Sequence, residues 1–448
     1  MGQNVHFVQC GESFGCRQDS VWLAYSSLNG AAFLVSEKEK EFLRKECESG
    51  SGDSPELSPG ARALLRDPVP QSVMRIPESW EDVYEVDFLM NYKCNFHCVY
   101  CYSAAGRSNA VLPWEKARTL VDFLFSEDHA AKTFYNIHFS GGGEPTLSFD
   151  LVRMLTEYIE KKAAVSGHKY KLSMVTNGSL LSSEIMDYLI AHNIELILSF
   201  EILEQYQNAE RGQYDVVAKN LDRLIESDVR FAVRATLTAD SAPAMPRMIE
   251  EIHTRFPGLK AVVFDTVLSA ELFRTPEELK KYYDVFFDSF LEAEKLGEKY
   301  HVSVSGPFTN LLAFHRERTC FGKIVLTPEG RLSICARVSS PKEELFPCFT
   351  YGEITEDGRI SVDREKFDRL MHENTIESAP ECRDCFARWN CGGGCRLFTM
   401  SFPDESRRVF CDFQRKCVKY QVLEHIRQHF LKANGKPLEE HLKSLNLE

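Results

Sequence analysis

No apolar run in the sequence approaches the ~20 residues that a membrane-spanning helix requires. Basic charge is also in deficit. Asp and Glu number 66 against 53 Lys and Arg, giving a formal net charge of −13. That balance repels a phosphate backbone and excludes a general nucleic-acid binder. The opening residues, Met1-Gly2-Gln3-Asn4, lack the basic and apolar regions of an export signal. They also miss the myristoylation pattern, because His6 stands where Ser or Thr is required. There is no internal repeat and no long low-complexity tract. The expectation is a cytoplasmic protein with neither membrane nor nucleic acid as partner. Its 44% hydrophobic and 27% charged residues are an ordinary globular balance, which argues against wholesale disorder.

Cysteine is the abundance. There are 15, in a chain of 448 residues that is long enough to build its own cores without disulfides. In a reducing compartment, clustered cysteines more often bind metal or do redox chemistry. Cys94, Cys98 and Cys101 form one group, and Cys320 to Cys417 contain nine more. Cys10, Cys16 and Cys47 lie outside both groups.

Four segments follow from pattern and composition. Residues 1–80 form a small α+β domain with strand-like runs at Val5–Val8, Val21–Tyr25 and Ala31–Val35. A charged helix, Glu37–Cys47, and a linker at Gly50–Pro55 complete it. Residues 81–300 alternate strand and helix, with strands expected at 84–90, 133–140, 170–176, 194–200, 230–237 and 260–267. Ala117, Leu120, Val121 and Leu124 mark one apolar helix face, and Leu151, Met154, Leu155 and Tyr158 another. Thr275 and Glu278 form a capping box, with Pro276 at the first helical position. Six such units predict an α/β fold with a parallel sheet. Closed around an axis, they make a partial (β/α)6 TIM-like barrel whose loops meet at the strands' carboxyl ends. Residues 301–420 are short, turn-rich and cysteine-rich, and read as organised by metal. Residues 421–448 read as an amphipathic helical tail broken near Gly435-Lys436-Pro437.

The first cysteine group follows the first barrel strand as Cys94-Asn95-Phe96-His97-Cys98-Val99-Tyr100-Cys101. Three thiolates on one loop can hold a four-iron cluster and leave one iron open. A zinc site completed by His97 is the alternative on local spacing. This Cys-x3-Cys-x2-Cys run resembles the signature of the radical S-adenosylmethionine (SAM) superfamily. The resemblance continues through Ser140-Gly141-Gly142-Gly143-Glu144-Pro145, Thr176-Asn177-Gly178, Ser199-Phe200-Glu201 with Arg211 downstream, and Arg234-Ala235-Thr236-Leu237-Thr238, each after a strand. It implies a 4Fe–4S cluster on Cys94, Cys98 and Cys101 whose open iron is chelated by SAM. Tyr100, Ser140, Gly142, Gly143, Glu144, Asn177, Ser199, Arg211 and Leu237 are then the candidate SAM contacts. Within that set Glu144 or Ser140 would accept from the SAM ammonium, Arg211 would pair with its carboxylate, and Tyr100 would pack on adenine. Glu201 departs from the Asp often found at its position, which leaves its role open.

The second group, Cys320, Cys335, Cys382-x2-Cys385-x5-Cys391-x3-Cys395 and Cys411, resembles the SPASM extension of radical SAM enzymes that modify peptides and proteins. The resemblance implies two auxiliary 4Fe–4S clusters, three clusters in all. Cys382, Cys385, Cys391 and Cys411 would hold one, and Cys320, Cys335 and Cys395 the other. Either Cys348 completes the latter or its fourth iron stays open. Two four-cysteine zinc fingers are the alternative on spacing.

As a family property, the resemblance implies reductive cleavage of SAM to a 5′-deoxyadenosyl radical that abstracts hydrogen from substrate. It identifies the protein as an oxidoreductase and a maturase of a ribosomally made peptide, installing a thioether or carbon–carbon crosslink. A sulfatase-maturating, formylglycine-forming enzyme is a second reading, although Ala336 stands where those relatives place an Asp base. Peptide epimerisation is a third, with Cys348 or Cys417 as hydrogen donor. An iron–sulfur electron-transfer protein or zinc scaffold is the non-enzymatic alternative. The expected partners are a small precursor peptide with a leader and a flavodoxin or ferredoxin electron donor. The N-terminal domain resembles the small winged-helix domains that grip such leaders. Catalytic acid and base are unassigned, with Asp265, Glu201 and Arg337 the candidates by position.

Overall fold

Strand and helix alternate through the middle of the chain as the apolar periodicity requires. The computed structural model describes residues 4–17, 20–49, 57–65, 73–126 and 134–444, so the linker at Gly50–Pro55 lies outside the described residues. Two compact units are present. Residues 1–76, 308–320 and 373–448 form one; residues 77–307 and 321–372 form the other.

In the first unit, β1 (Val5–Gln9), β2 (Trp22–Ser26) and β3 (Ala32–Val35) make an antiparallel meander in the order β1-β2-β3. The helix Glu37–Ser49 follows, and its Leu43 joins Ala24, Val35, Leu57, Ala61 and Leu64 in a small core. A second, two-stranded sheet pairs β4 (Val73–Met74) with β12 (His315–Arg316) in parallel. The unit ends in the helices Asp404–Asn434 and Leu438–Ser444, broken at Gly435, which takes a left-handed φ of 67°.

The second unit is built on one sheet. Its strands β5 (Glu85–Asn91), β6 (Phe134–Gly142), β7 (Lys169–Thr176), β8 (Ile194–Ser199), β9 (Phe231–Leu237) and β10 (Ala261–Thr266) match the six expected runs and pair in parallel, neighbour to neighbour. The sheet is larger than six strands. β11 (Ser303–Ser305) adds beside β10, while β13 (Ile324–Leu326) returns to lie parallel beside β5. β14 (Arg331–Ser333), β15 (Thr350–Ile354) and β16 (Ile360–Val362) continue it antiparallel, so the sheet stays open with β11 and β16 at its edges.

One helix face differs from its expectation. In Phe149–Ser166 the buried residues are Val152, Leu155, Thr156 and Ile159, whereas Met154 is exposed and Leu151 and Tyr158 are half-buried. Val152, Leu155 and Ile159 share the same helical period one residue away, and their branched bodies fill the core. Tyr158 instead donates its hydroxyl to Asp122 at 2.6 Å and packs edge-on to Trp114. The 276–300 helix starts at Pro276 with Thr275 as its N-cap, accepting from the Glu278 N–H at 3.2 Å, but the expected capping box does not close: Glu278 accepts from the Arg274 N–H at 2.9 Å and not from that of Thr275.

Candidate cofactor-binding site

The three thiols of Cys94, Cys98 and Cys101 leave β5 on one loop, all partly buried and within electrostatic reach of one another. Burial pushes the Cys94 and Cys98 thiols up; the Phe96 N–H opposes this at Cys94, and the Arg211 guanidinium does so at Cys98. Four contacts hold the loop. The Glu144 N–H donates to the Lys93 carbonyl at 2.6 Å, and the Val99 N–H donates to the Glu210 carbonyl at 2.9 Å. The Asn177 amide donates to Asn95 Oδ1 at 2.9 Å, and Arg107 donates to the Phe96 carbonyl.

Glycine is required where the β6 end meets this loop. Gly141 and Gly142 have φ of +60° and +70°, and a Cβ on Gly143 would stand 2.0 Å from the Lys93 oxygen. Glu144 then reaches the next strand end. Its buried carboxylate accepts from the Thr146 N–H at 3.1 Å, the Thr146 hydroxyl at 2.7 Å, the Thr176 hydroxyl at 2.6 Å and the Asn177 N–H at 2.8 Å. Asn177 Oδ1 accepts in turn from the Ser179 N–H at 2.9 Å and its hydroxyl at 2.7 Å. These residues bind the cysteine loop, the glycine turn and the 176–179 loop into one frame.

Tyr100, Glu201 and Arg211 form a second cluster against the loop. Tyr100 donates its hydroxyl to Glu201, and Arg211 donates to the same hydroxyl at 2.9 Å. The Arg211 guanidinium stands 3.8 Å from Glu201, with side chains 9% and 0% exposed. Burial raises the Glu201 carboxyl to about 7 against the pull of Arg211. Glu201 Oε2 and Arg211 Nε are buried without a partner among the described residues. Arg211 is thus already engaged by residues of this chain.

Of the remaining candidates, Ser140 donates to Asp87 at 2.5 Å, and Asp87 also accepts from Lys323 at 2.7 Å. Ser199 ends β8 level with Arg234 of β9. Leu237 is fully buried at the end of β9, and its carbonyl accepts from the Tyr282 hydroxyl at 2.7 Å. Asp265 faces Arg337 at 3.7 Å, half-exposed. Asn95, Asp87, Lys323 and Glu210 were not singled out in the sequence. Only Asn95, inside the cysteine run, carried a signal that could have found it.

The second cysteine group is divided between the units, with Cys335 and Cys348 in the sheet unit and Cys320, Cys382, Cys385, Cys391, Cys395 and Cys411 in the other. Cys382, Cys385, Cys391, Cys395 and Cys411 line one cavity of about 420 Å³. The thiols of Cys382, Cys385, Cys391 and Cys411 feel one another's charge, and burial pushes Cys382 and Cys391 up to about 12. Gly392, Gly393 and Gly394 all have left-handed φ, between 72° and 85°, where a Cβ on Gly392 would meet the Thr319 N–H at 2.5 Å. Cys417 is buried beside this set on the 404–434 helix.

The donor chemistry fits iron–sulfur clusters, since all the assembled donors are soft thiols. Among the described residues no three His, Cys, Asp or Glu side chains are close enough to hold a single metal ion. A tetrahedral ion needs its sulfurs about 2.3 Å from one point. A cubane takes one thiolate on each iron and spreads them wider.

Residues 89–246 match the family model of the Radical SAM superfamily. Among curated proteins it is similar to the radical SAM cyclopropyl synthase TigE of Paramaledivibacter caminithermalis, 24% identical over 180 residues, 37% of each chain. It is also similar to the mycofactocin maturase MftC of Mycolicibacterium smegmatis, 24% identical over 354 residues, 73% of this chain and 82% of the relative. The chain spans only 37% of the length of the synthase, and 59% of an uncharacterised Methanocaldococcus jannaschii relative. Its fold is similar to that of anSMEcpe solved with bound AdoMet, with a TM-score of 0.60 and 19% identity over 76% of this chain and 98% of that one. No helix among the described residues is long and apolar enough to cross a membrane.

Proposed function

We propose that the protein is a radical SAM peptide maturase that crosslinks a small ribosomally made precursor through a thioether or carbon–carbon bond. The carrying observation is the frame in which the Cys94–Cys101 loop, the Gly141–Glu144 turn and Asn177 meet at adjacent strand ends. In this reading Cys94, Cys98 and Cys101 hold a 4Fe–4S cluster, which when bound with SAM supplies the hydrogen-abstracting radical. The chain's own part is positioning. Glu144 and Asn177 fix the loop, Gly142 and Gly143 keep the approach narrow, and Tyr100, braced by Glu201 and Arg211, presents a ring to the adenine. Cys382, Cys385, Cys391 and Cys411 hold an auxiliary cluster. The resemblance to the SPASM extension would give Cys320, Cys335 and Cys395 to the other, with Cys348 as its fourth ligand or an open iron. A peptide-bound structure of anSMEcpe and the maturase name of a relative support a peptide substrate. A flavodoxin or ferredoxin is the electron donor in this reading.

The leader is assigned to the first unit. Gly30 and Ala32–Ser36 line an apolar cleft of about 690 Å³ whose other wall is His425, His429, Phe430 and Leu438. Successive residues of β3 line it, so the cleft follows the strand's edge and not one face. Among the described residues β3 pairs with β2 alone. An extended leader adds there as a fourth strand.

High-resolution mass spectrometry of a small peptide encoded beside the gene, co-expressed with the protein, tests this function. Loss of two hydrogens, abolished by replacing Cys94, Cys98 and Cys101 with Ala, is the expected result. An unchanged peptide mass, with no deuterium uptake from solvent, overturns peptide maturation for that substrate.

A further inference from the structure

We infer that Arg415 is a positioning residue that raises the reduction potential of the cluster held by Cys382, Cys385, Cys391 and Cys411. The inference rests on the cluster assignment above. Helical spacing places Arg415 one turn after Cys411, on the same face of the 404–434 helix. Both line the cavity that contains Cys382, Cys385 and Cys391. From there the guanidinium faces the Cys385 sulfur as a donor, and its charge acts on Cys411. Asp412 anchors Arg415 at 2.5 Å and fixes its direction.

Hydrogen bonds to cluster sulfurs stabilise the more negative, reduced state, so each donor moves the potential upward. A second donor is the Gly394 N–H, directed at Cys391. Other charges face the same thiols. Arg388 acts on Cys382 and Arg316 on Cys391, while Glu381 and Asp412 oppose them. Arg388 is spent partly on Glu377 at 2.7 Å, so its charge is shared. Among these side chains Arg415 is the one that faces a ligand sulfur as a donor, and its planar fork can serve Asp412 and Cys385 together. A lysine has the charge without that fork.

The first cysteine loop is balanced differently. There the Arg211 guanidinium is taken by Tyr100 and Glu201, and Cys94 receives a backbone N–H. The two sites therefore do not share one electrostatic setting.

The test is an EPR-monitored redox titration of the full chain under anaerobic conditions, with iron and acid-labile sulfide counted in parallel. The signal lost in Cys382→Ala identifies the cluster concerned. Arg415→Met is expected to keep the iron count and lower that midpoint. At the potential that half-reduces the parent, its reduced-to-oxidised ratio falls about tenfold, the equivalent of ~59 mV for one electron. Arg415→Lys is expected to fall between the two. Equal midpoints in parent and Arg415→Met at equal iron content overturn the inference. Should Arg415→Met lose this cluster, Arg415→Lys and Arg415→Gln decide: a lowered midpoint in either supports it, and an unshifted one or loss of iron in both overturns it. A parent chain without iron and sulfide defeats the cluster reading itself, a separate failure.

Discussion

The Tyr100 hydroxyl donates to the carboxylate of Glu201, a residue 101 positions away, while Arg211 donates to the same hydroxyl. Removing one member of a buried pair leaves the other uncompensated, so Glu201→Ala is expected to cost about 3–5 kcal/mol in urea unfolding. Glu201→Gln keeps the shape and an acceptor, and is expected to cost much less. A cost of Glu201→Ala within error of zero contradicts the bracing role.

The same carboxyl predicts a pH dependence. Burial raises it to about 7, so the folded protein keeps a proton that the unfolded chain has released. Stability contributed by this group is complete below the ordinary glutamate range and is lost as pH rises through about 7. Stability measured between pH 5 and 8 should decline more steeply in the parent than in Glu201→Gln. Parallel curves would refute the assignment.

Gly143→Ala places a methyl carbon 2.0 Å from the Lys93 oxygen, against backbone that cannot swing aside. The cysteine loop must then shift. Expected consequences are a stability loss of roughly 1–3 kcal/mol and reduced iron on the first cluster, read by metal analysis. Gly60→Ala, also without a left-handed φ and with its nearest neighbour, Ser58 Oγ, at 3.9 Å from the added Cβ, is the control.

Iron content separates ligands from bystanders among the later cysteines. Cys382→Ala and Cys391→Ala should each lower it by about four atoms per chain, the content of one cubane. Cys417→Ala should leave iron unchanged and cost stability alone, because Cys417 is buried among core side chains. Iron lost from Cys417→Ala would make it a ligand.

The β3 edge offers a backbone test of leader binding. Ser26 donates to the Ala31 carbonyl at 2.9 Å, and the register pairs Ala24 with Phe33 and Tyr25 with Ala32. In that alternation Phe33 and Val35 turn their main-chain groups toward β2, and Ala32 turns its own outward. Ala32→Pro removes an outward donor and spares the ladder. Precursor affinity is expected to fall about tenfold, near the value of one main-chain hydrogen bond, with unchanged thermal unfolding. Undiminished binding places the leader elsewhere.

The six parallel strands were legible because strand-like and helix-like patterns alternate between turn signals, even where β7 carries Lys169 and Lys171 and β9 carries Arg234. Strands β13–β16, of three to five residues each, were not. They lie in turn-rich sequence, and pairing with β5 or with one another stabilises them more than intrinsic preference. The helix at Phe149–Ser166 misled for a related reason, since two overlapping faces both carry the helical period and tertiary packing chose between them. Local motifs announced the cysteines and glycines. The partnership of Tyr100, Glu201 and Arg211 was invisible, because nothing in three separated residues records that strand ends bring them together.

The first unit gathers its residues from both ends of the sequence: the Tyr25 hydroxyl donates to Asn390, 365 residues later, at 2.8 Å. At about 5–20 residues per second of synthesis, roughly 20–70 s separate the two. All segments of the sheet unit are synthesised by His372, before Asn390 has been made. During that interval β1–β3 lack the 404–434 helix, whose Lys419 donates to the Gln9 carbonyl at 2.5 Å. The cleft beside β3 is therefore walled last, and a ribosome stalled between residues 372 and 390 would display the strands without their counterpart.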